Sequence, residues 1–273
     1  MPDAGPAINS RGGRTQAGGK PGAPGVRPLR VFSVIARNPG IPVPRRILSL
    51  TLSSGASTRR TEVAVDDAII AGWTGRDSAA VENHIRELEA LGVKRPASTP
   101  IFYRVAAARL TTGTEIEAVG ANSGGEVEFV LLQHDGRLWV GTGSDHTDRE
   151  VETYGVTVSK QMCDKPLAPV FWAFDEVAPH WDRLLLRSHV VENGERKLYQ
   201  EGSVTAMLAP LDLIGRCVGG AAVLPENTIM YCGTLAARGG VRPTPRFEYA
   251  LEDPVLGRSI AHGYAVRILP IMG

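Results

Sequence analysis

The sequence predicts a mixed α+β fold with a β-rich C-terminal body, and three observations carry that prediction. From about residue 100 onward, short apolar runs ("PIFYRVAA", "EVEFVLL", "RLWVGTG", "RLLLRSHVV", "KLYQEG") are separated by Gly, Asn-Gly or Asp-Gly punctuation. One stretch, "SAAVENHIRELEALG" at 78–92, has clear helical periodicity. Strand and helix patterns do not alternate regularly, as a chain of βαβ units requires.

Residues 1–30 hold seven Gly and five Pro, with Arg11, Arg14, Lys20, Arg27 and Arg30 scattered among them. Such a segment has almost nothing to bury, so residues 1–27 are expected to form a disordered tail. "VFSVIA" and "RRILSLTL" read as strands, followed by "TEVAVDDAIIAGW". In the helix, Val81, Ile85, Leu88 and Leu91 mark one face, Asp77 or Ser78 is the N-cap, and Gly92 stands at the C-terminal cap. His134-Asp135-Gly136-Arg137 between two strand patterns signals a tight hairpin. "VTAMLAPLDLIGRCVGG" (204–220) reads as a second helix, bent or interrupted at Pro210. Strands return in "TIMYCGTLA", "RFEYALED" and "HGYAVRIL".

At 273 residues and 43% hydrophobic, the chain can bury a substantial core. Lys and Arg number 30 against 29 Asp and Glu, a balance that gives no electrostatic case for nucleic acid or an acidic membrane as partner. Cys163, Cys217 and Cys232 form no paired motif, which points to a reducing, cytoplasmic setting. No apolar run reaches the roughly 18 residues of a membrane helix, and no signal-peptide pattern opens the chain.

The chemistry concentrates in "GGEVEFVLLQHDGRLWVGTGSDHTDRE", residues 124–150. Strand residues two apart share a face, so Glu126 and Glu128 point to one side along with Val130 and Leu132. Val127, Phe129 and Leu131 make the other side apolar too. A strand buried on both faces carries two carboxylates only if something compensates them, and a hard divalent cation does. The alternative is an edge strand with solvated acids. Asp145 is a further possible ligand, or a turn residue capping backbone donors, and Asp148 competes with it. Strand alternation aims His146 away from Asp145.

Three other features bear on chemistry. His84 and Glu87, at i and i+3, are neighbours on the helix surface: a core histidine, or a general base oriented by a carboxylate. Lys160 and Lys165 are surface lysines, or a charge beside a developing oxyanion. Gly233-Thr234 ends a strand and is consistent with a plain turn.

The order of these motifs over residues 70–270 resembles the fumarylacetoacetate hydrolase superfamily. Glu126-Val127-Glu128 is similar to its Glu-x-Glu. Asp145-His146-Thr147-Asp148-Arg149 is similar to its Asp-x-Thr/Ser-x-Arg, and Lys160 ahead of Pro166 and Pro169 to its downstream lysine. "LYQEG" resembles its Arg-Gln-x-Gly strand, so Gln200 and Gly202 align, and "VLPENTIMYCGTLA" resembles its Gly-Thr-Pro segment. "ENHIRELEALGVKRPASTPIFYR" is similar to its His-x-x-Glu helix and the strand that follows. The chain departs from the pattern in four places: Arg104 stands for a lysine, Asn227 for an Asp and Leu235 for a Pro, and a hairpin replaces a helix between Glu128 and Asp145.

The resemblance implies a mixed β-roll over residues 99–273 behind a smaller N-terminal α/β portion, 28–98. It implies Mg²⁺ or Mn²⁺ on Glu126, Glu128 and Asp145, catalysis by His84, Glu87 and Lys160, and substrate contacts from Arg104, Arg149, Gln200 and Thr234. The expected activity is metal-dependent hydrolysis of a carbon–carbon bond in a β-diketo or acylpyruvate-like acid. Alternatives on the same site are a β-keto acid decarboxylase, a tautomerase and a sugar-acid dehydratase. An alternative of another class is a non-catalytic small-molecule binding protein. A homodimer is the expected assembly.

Overall fold

A computed structural model of the chain describes residues 45–55, 57–90, 95–220 and 223–272, apart from the side chains of His84 and Leu88. The expected tail, the "VFSVIA" strand and Gly92 lie outside the described residues. Thirteen strands longer than two residues run in chain order: β1 (Arg46–Ser54), β2 (Ser57–Val65), β3 (Asp67–Gly72), β4 (Ile101–Val105), β5 (Glu115–Val119), β6 (Val127–His134), β7 (Arg137–Ser144), β8 (Val170–Ala173), β9 (Leu185–Glu192), β10 (Glu195–Ser203), β11 (Thr228–Thr234), β12 (Arg246–Asp253) and β13 (Arg258–Leu269). The helices are α1 (Ser78–Ala90), α2 (Arg149–Tyr154), α3 (Val156–Met162), α4 (Phe174–Val177) and α5 (Pro210–Val218).

Eight strands form one sheet in the order β2-β1-β8-β7-β6-β11-β3-β4, and five form a second, β10-β9-β12-β13-β5. Strands from both sides of residue 98 therefore share the larger sheet. The fold is mixed α+β and mostly strand, as expected. β6 lies near the middle, between β7 and β11, and is covered on both faces. On one side Val127, Phe129 and Leu131 pack with Leu186, Tyr199, Phe247 and Tyr264 of the second sheet. On the other the large sheet curls, so that Val130 and Leu132 share a cluster with Leu48, Leu50, Ile70 and Tyr231. This double burial is why the strand reads as a near-continuous apolar run. The edge-strand alternative for the acids therefore does not hold.

The hairpin joining β6 to β7 forms as its turn residues predict. Asp135 and Gly136 have φ of 52° and 69°, both positive as the right-twisted two-residue turn requires. Glu226 caps this turn, accepting from the Gly136 N–H at 3.3 Å and from the Asp135 N–H.

One helix differs from expectation. Residues 204–206 make a separate 3₁₀ turn, and α5 begins at Pro210 itself. Proline lacks the N–H that the first helical position leaves unused, so it starts this helix rather than bending it. Helices α2 and α3, which the sequence patterns do not signal, fill the segment after the acids. No described helix is long and apolar enough to cross a membrane.

Candidate functional site

The hairpin turn sets the geometry of the acids. Counting outward from Asp135 and Gly136, Glu126 and Asp145 stand at equal distances from the turn, and the Asp145 N–H donates to the Glu126 carbonyl at 3.0 Å. Glu128 faces Gly143 in the same ladder. Directly opposed residues share a face, and so do residues two apart, so Glu126, Glu128 and Asp145 lie on one side of the hairpin. Gly143, on that face, has no room for a side chain. A Cβ there would meet a Tyr231 ring carbon at 2.6 Å and the Pro166 carbonyl at 2.8 Å.

Each acid has its own partner. Glu126 lies 3.1 Å from the Arg149 guanidinium, at the start of α2, which also reaches Glu152 at 2.9 Å. Glu128 is 2% exposed and accepts from the Gly233 N–H at 2.7 Å. Burial, and then the Asp145 charge, push its carboxyl well above the ordinary range. Gly233 makes that donor available: its φ is +95°, and a Cβ there would fall 1.8 Å from the Thr74 hydroxyl.

Asp145 is fully buried and held by two ammonium groups. Lys160, on α3, donates to Oδ2, and Lys165 Nζ lies 3.0 Å from Oδ1. Burial alone would raise the Asp145 carboxyl, but the two lysines hold it below the usual carboxylate range. Burial pulls Lys160 down, and the charges of Asp145, Glu126 and Glu152 together more than offset this, so its ammonium is held above its ordinary range. For Lys165 burial prevails and its value falls. Neither lysine is a surface residue: Lys165 is fully buried and Lys160 7% exposed. The ring of Tyr103 on β4 lies 5.9 Å from Lys160 Nζ.

Other expected site residues divide into those near this face and those elsewhere. Gln200 is buried and fully bonded, accepting from the Val127 N–H and the Ser188 hydroxyl at 2.9 Å each. It donates to the Thr234 hydroxyl at 2.8 Å and the Leu235 carbonyl at 2.7 Å. Thr234 in turn donates to the Val127 carbonyl at 2.7 Å. The pair ties the start of β6 to the end of β11, beside Glu128. Arg104 projects from the face of β4 opposite Tyr103 and pairs with Asp67. Glu87 is exposed on α1, and the His84 side chain lies outside the described residues.

His146 and Asp148 have other employment. His146 is fully buried, its ring nitrogens 2.9 Å from the Tyr264 hydroxyl and 2.8 Å from the Ser123 hydroxyl. Burial pushes it down to about 3, so the ring is neutral. Asp148 is the N-cap of α2, accepting from the Glu150 and Val151 N–H groups at 3.0 and 2.9 Å. Lys165 and Tyr103 are site neighbours that motif order does not single out. Only the apolar surroundings of both in sequence hint at their burial.

Among the described residues, the acidic or imidazole group whose ligand atoms all lie within 4.8 Å of one another is His134, Asp135 and Glu226 at the hairpin tip. There Arg59 holds Asp135 at 2.7 Å and Glu226 caps the turn, so that group is accounted for structurally. The carboxylates of Glu126, Glu128 and Asp145 stand further apart, each turned to its own donor. Their chemistry nonetheless fits a hard divalent cation. They are three oxygen donors on one face, and Glu128 is a buried carboxylate with no cation at ion-pair distance among the described residues.

The curled sheet packed on a second sheet is a fold shared with solved fumarylacetoacetate hydrolase family proteins. A protein from Oleispira antarctica, provisionally described as a fumarylacetoacetate isomerase/hydrolase, superposes with a TM-score of 0.56 at 19% identity, covering 80% of this chain and 99% of its own. Yeast ynq8, a fumarylacetoacetate hydrolase family protein, gives 0.54 at 18% identity, over 76% of this chain and 95% of its own. A 2-keto-3-deoxy-D-arabinonate dehydratase complexed with magnesium and 2,5-dioxopentanoate gives 0.54 at 14%, over 79% and 78%. By sequence, the chain belongs to the family described as "Protein of unknown function (DUF2848)", which matches residues 71–264. No curated protein matches it.

Proposed function

We propose that the protein is a metal-dependent enzyme that hydrolyses a carbon–carbon bond in a β-diketo or acylpyruvate-like acid. One observation carries the reading: three carboxylates share one face of a buried hairpin with two buried lysines on Asp145. Solvated surface acids need no such arrangement, because exposed pairs contribute little. Glu126, Glu128 and Asp145 would hold Mg²⁺ or Mn²⁺. The bound ion supplies Lewis acidity toward the oxygens of a keto acid.

The remaining roles belong to the chain. His84, with Glu87 one turn along α1, is the proposed base that takes a proton from water as its oxygen attacks the remote carbonyl. The carbon–carbon bond breaks, and its electron pair leaves on the departing fragment as an enolate. Lys160 stabilises that charge. Arg149, paired with Glu126 and Glu152, would orient Glu126 and meet a substrate carboxylate. Gln200 and Thr234 act by holding β6 against β11, since their polar side-chain atoms are already bonded within the protein. Arg104, on the far face of β4, is assigned no contact with the reacting atoms. A homodimer is part of this proposal by likeness to the superfamily.

A second reading is dehydration of a sugar acid, supported by the dehydratase of the same fold that was crystallised with magnesium and 2,5-dioxopentanoate. The same enolate stabilisation serves decarboxylation and tautomerisation. The test is turnover of acylpyruvates, β-keto acids and 2-keto-3-deoxy sugar acids by metal-stripped protein with added Mg²⁺ or Mn²⁺, with product analysis. Hydrolysis releases two organic fragments, decarboxylation CO₂, dehydration water and one product, and tautomerisation a single isomer. Metal-dependent ligand binding without any product would instead identify a binding protein. Activity unchanged in Glu128→Gln would sink the metal assignment.

A further inference from the structure

We infer that Lys165 makes this carboxylate face favour a divalent cation together with an anionic oxygen chelator over a divalent cation alone. The inference rests on the metal reading proposed above. Asp145 has an ammonium on each oxygen, Lys160 on Oδ2 and Lys165 at 3.0 Å from Oδ1. Glu126 has the Arg149 guanidinium at 3.1 Å. Three fixed cations therefore already stand beside three candidate ligand carboxylates, and one of those carboxylates carries two of them.

Lys165 has no route of withdrawal. Its side chain is 0% exposed, and besides Asp145 it donates to the His146 carbonyl. Its backbone is pinned as well: Lys165–Pro166 pairs with Leu110–Thr111, and the Tyr231 hydroxyl lies 3.0 Å from both the Lys165 and Pro166 carbonyls. A divalent ion entering here meets ammonium charges that stay in place. Uncompensated positive charge in a buried setting is costly, and like charges a few ångströms apart repel strongly there. A chelating anion removes the surplus, and the carboxylate and adjacent oxygen of a keto acid form such a chelator. Lys165 thus links metal retention to the arrival of an anionic substrate.

A purely structural lysine predicts the opposite sign. Removing it would loosen Asp145 and weaken metal binding, whereas removing a repelling charge strengthens it.

The test is calorimetric titration of the metal-stripped full-length protein with Mg²⁺, with and without saturating oxalate. It uses wild type, Lys165→Met, Lys165→Gln and Glu128→Gln, with folding of each checked by thermal melting. Oxalate is expected to tighten Mg²⁺ binding to wild type by about tenfold or more, and Mg²⁺ to tighten oxalate binding by the same factor. Both Lys165 variants are expected to bind Mg²⁺ alone about tenfold more tightly than wild type, with a smaller oxalate effect. Equal or weaker Mg²⁺ binding by the folded Lys165 variants overturns the inference and leaves the metal reading intact. Should neither variant fold, wild type decides: Mg²⁺ bound equally tightly with and without oxalate overturns it. Glu128→Gln is expected to bind no Mg²⁺ in either condition. Wild type that binds neither Mg²⁺ nor Mn²⁺, with or without oxalate, removes the metal reading and this inference together.

Discussion

Lys165 Nζ stands 3.0 Å from Asp145 Oδ1, with neither side chain exposed to solvent. A buried pair of this kind is costly to form and costlier to break, because the survivor is left as an uncompensated charge. Asp145→Asn leaves two buried ammoniums without their anion and is expected to lose about 3–5 kcal/mol at pH 7, read by urea unfolding. The Asp145 carboxyl is depressed in the folded state, so its contribution is present above its ordinary value of 3.8 and fades as pH falls below it. The stability difference from wild type should therefore shrink on acidification. A difference independent of pH down to the acid transition would contradict the pairing.

Glu128 has the opposite sign. Its folded-state value is raised, first by burial and then by Asp145, so its contribution is present below the ordinary value of 4.5 and lost as pH rises. In metal-stripped protein, Glu128→Gln is expected to match wild type near pH 4 and exceed it at pH 8 by on the order of 1–3 kcal/mol. The same variant should lose the Mg²⁺-induced rise in melting temperature that wild type shows. A variant less stable than wild type at pH 8 would mean that the buried carboxylate is not the liability described.

Gln200 serves the scaffold. Gln200→Leu strips partners from the Val127 N–H, the Thr234 hydroxyl and the Leu235 carbonyl. Unfilled buried polar groups predict a loss of about 2–4 kcal/mol by chemical denaturation. Full stability combined with a raised KM alone would return Gln200 to the role of a substrate ligand.

Gly233→Ala combines a left-handed backbone with the Thr74 collision. A stability loss of about 1–3 kcal/mol is expected, together with weaker Mg²⁺ binding, because the N–H that orients Glu128 is displaced. Calorimetry on the folded fraction checks the second effect, and unchanged Mg²⁺ affinity would separate Gly233 from the site.

Much of the acidic hairpin is legible in the sequence. The Asp135-Gly136 signal and strand alternation are local properties that give the turn and the shared face of Glu126 and Glu128, and the observed register adds Asp145 to that face. They also imply that His146 points elsewhere, and the structure finds it bound to Tyr264 and Ser123. Pro210 has the local signature of a helix breaker where it is a helix start, because nothing nearby distinguishes the two uses. Motif order alone puts Arg104 in the site. The pairing of β4 with β3 instead turns Tyr103 toward Lys160 and leaves Arg104 on the opposite face.

Alone, the sequence determined most of the long strands, the turn and the shared face of Glu126 and Glu128, since each depends on neighbours a few residues apart. Only the tertiary structure decided what those acids meet. Gly233 reaches Glu128 across 105 residues of chain, and Gln200 reaches Val127 across 73. Lys165 is only 20 residues from Asp145, yet its backbone is held by the Tyr231 hydroxyl and by pairing with Leu110. Which distant segments converge is set by packing the whole core at once, and no local pattern encodes it.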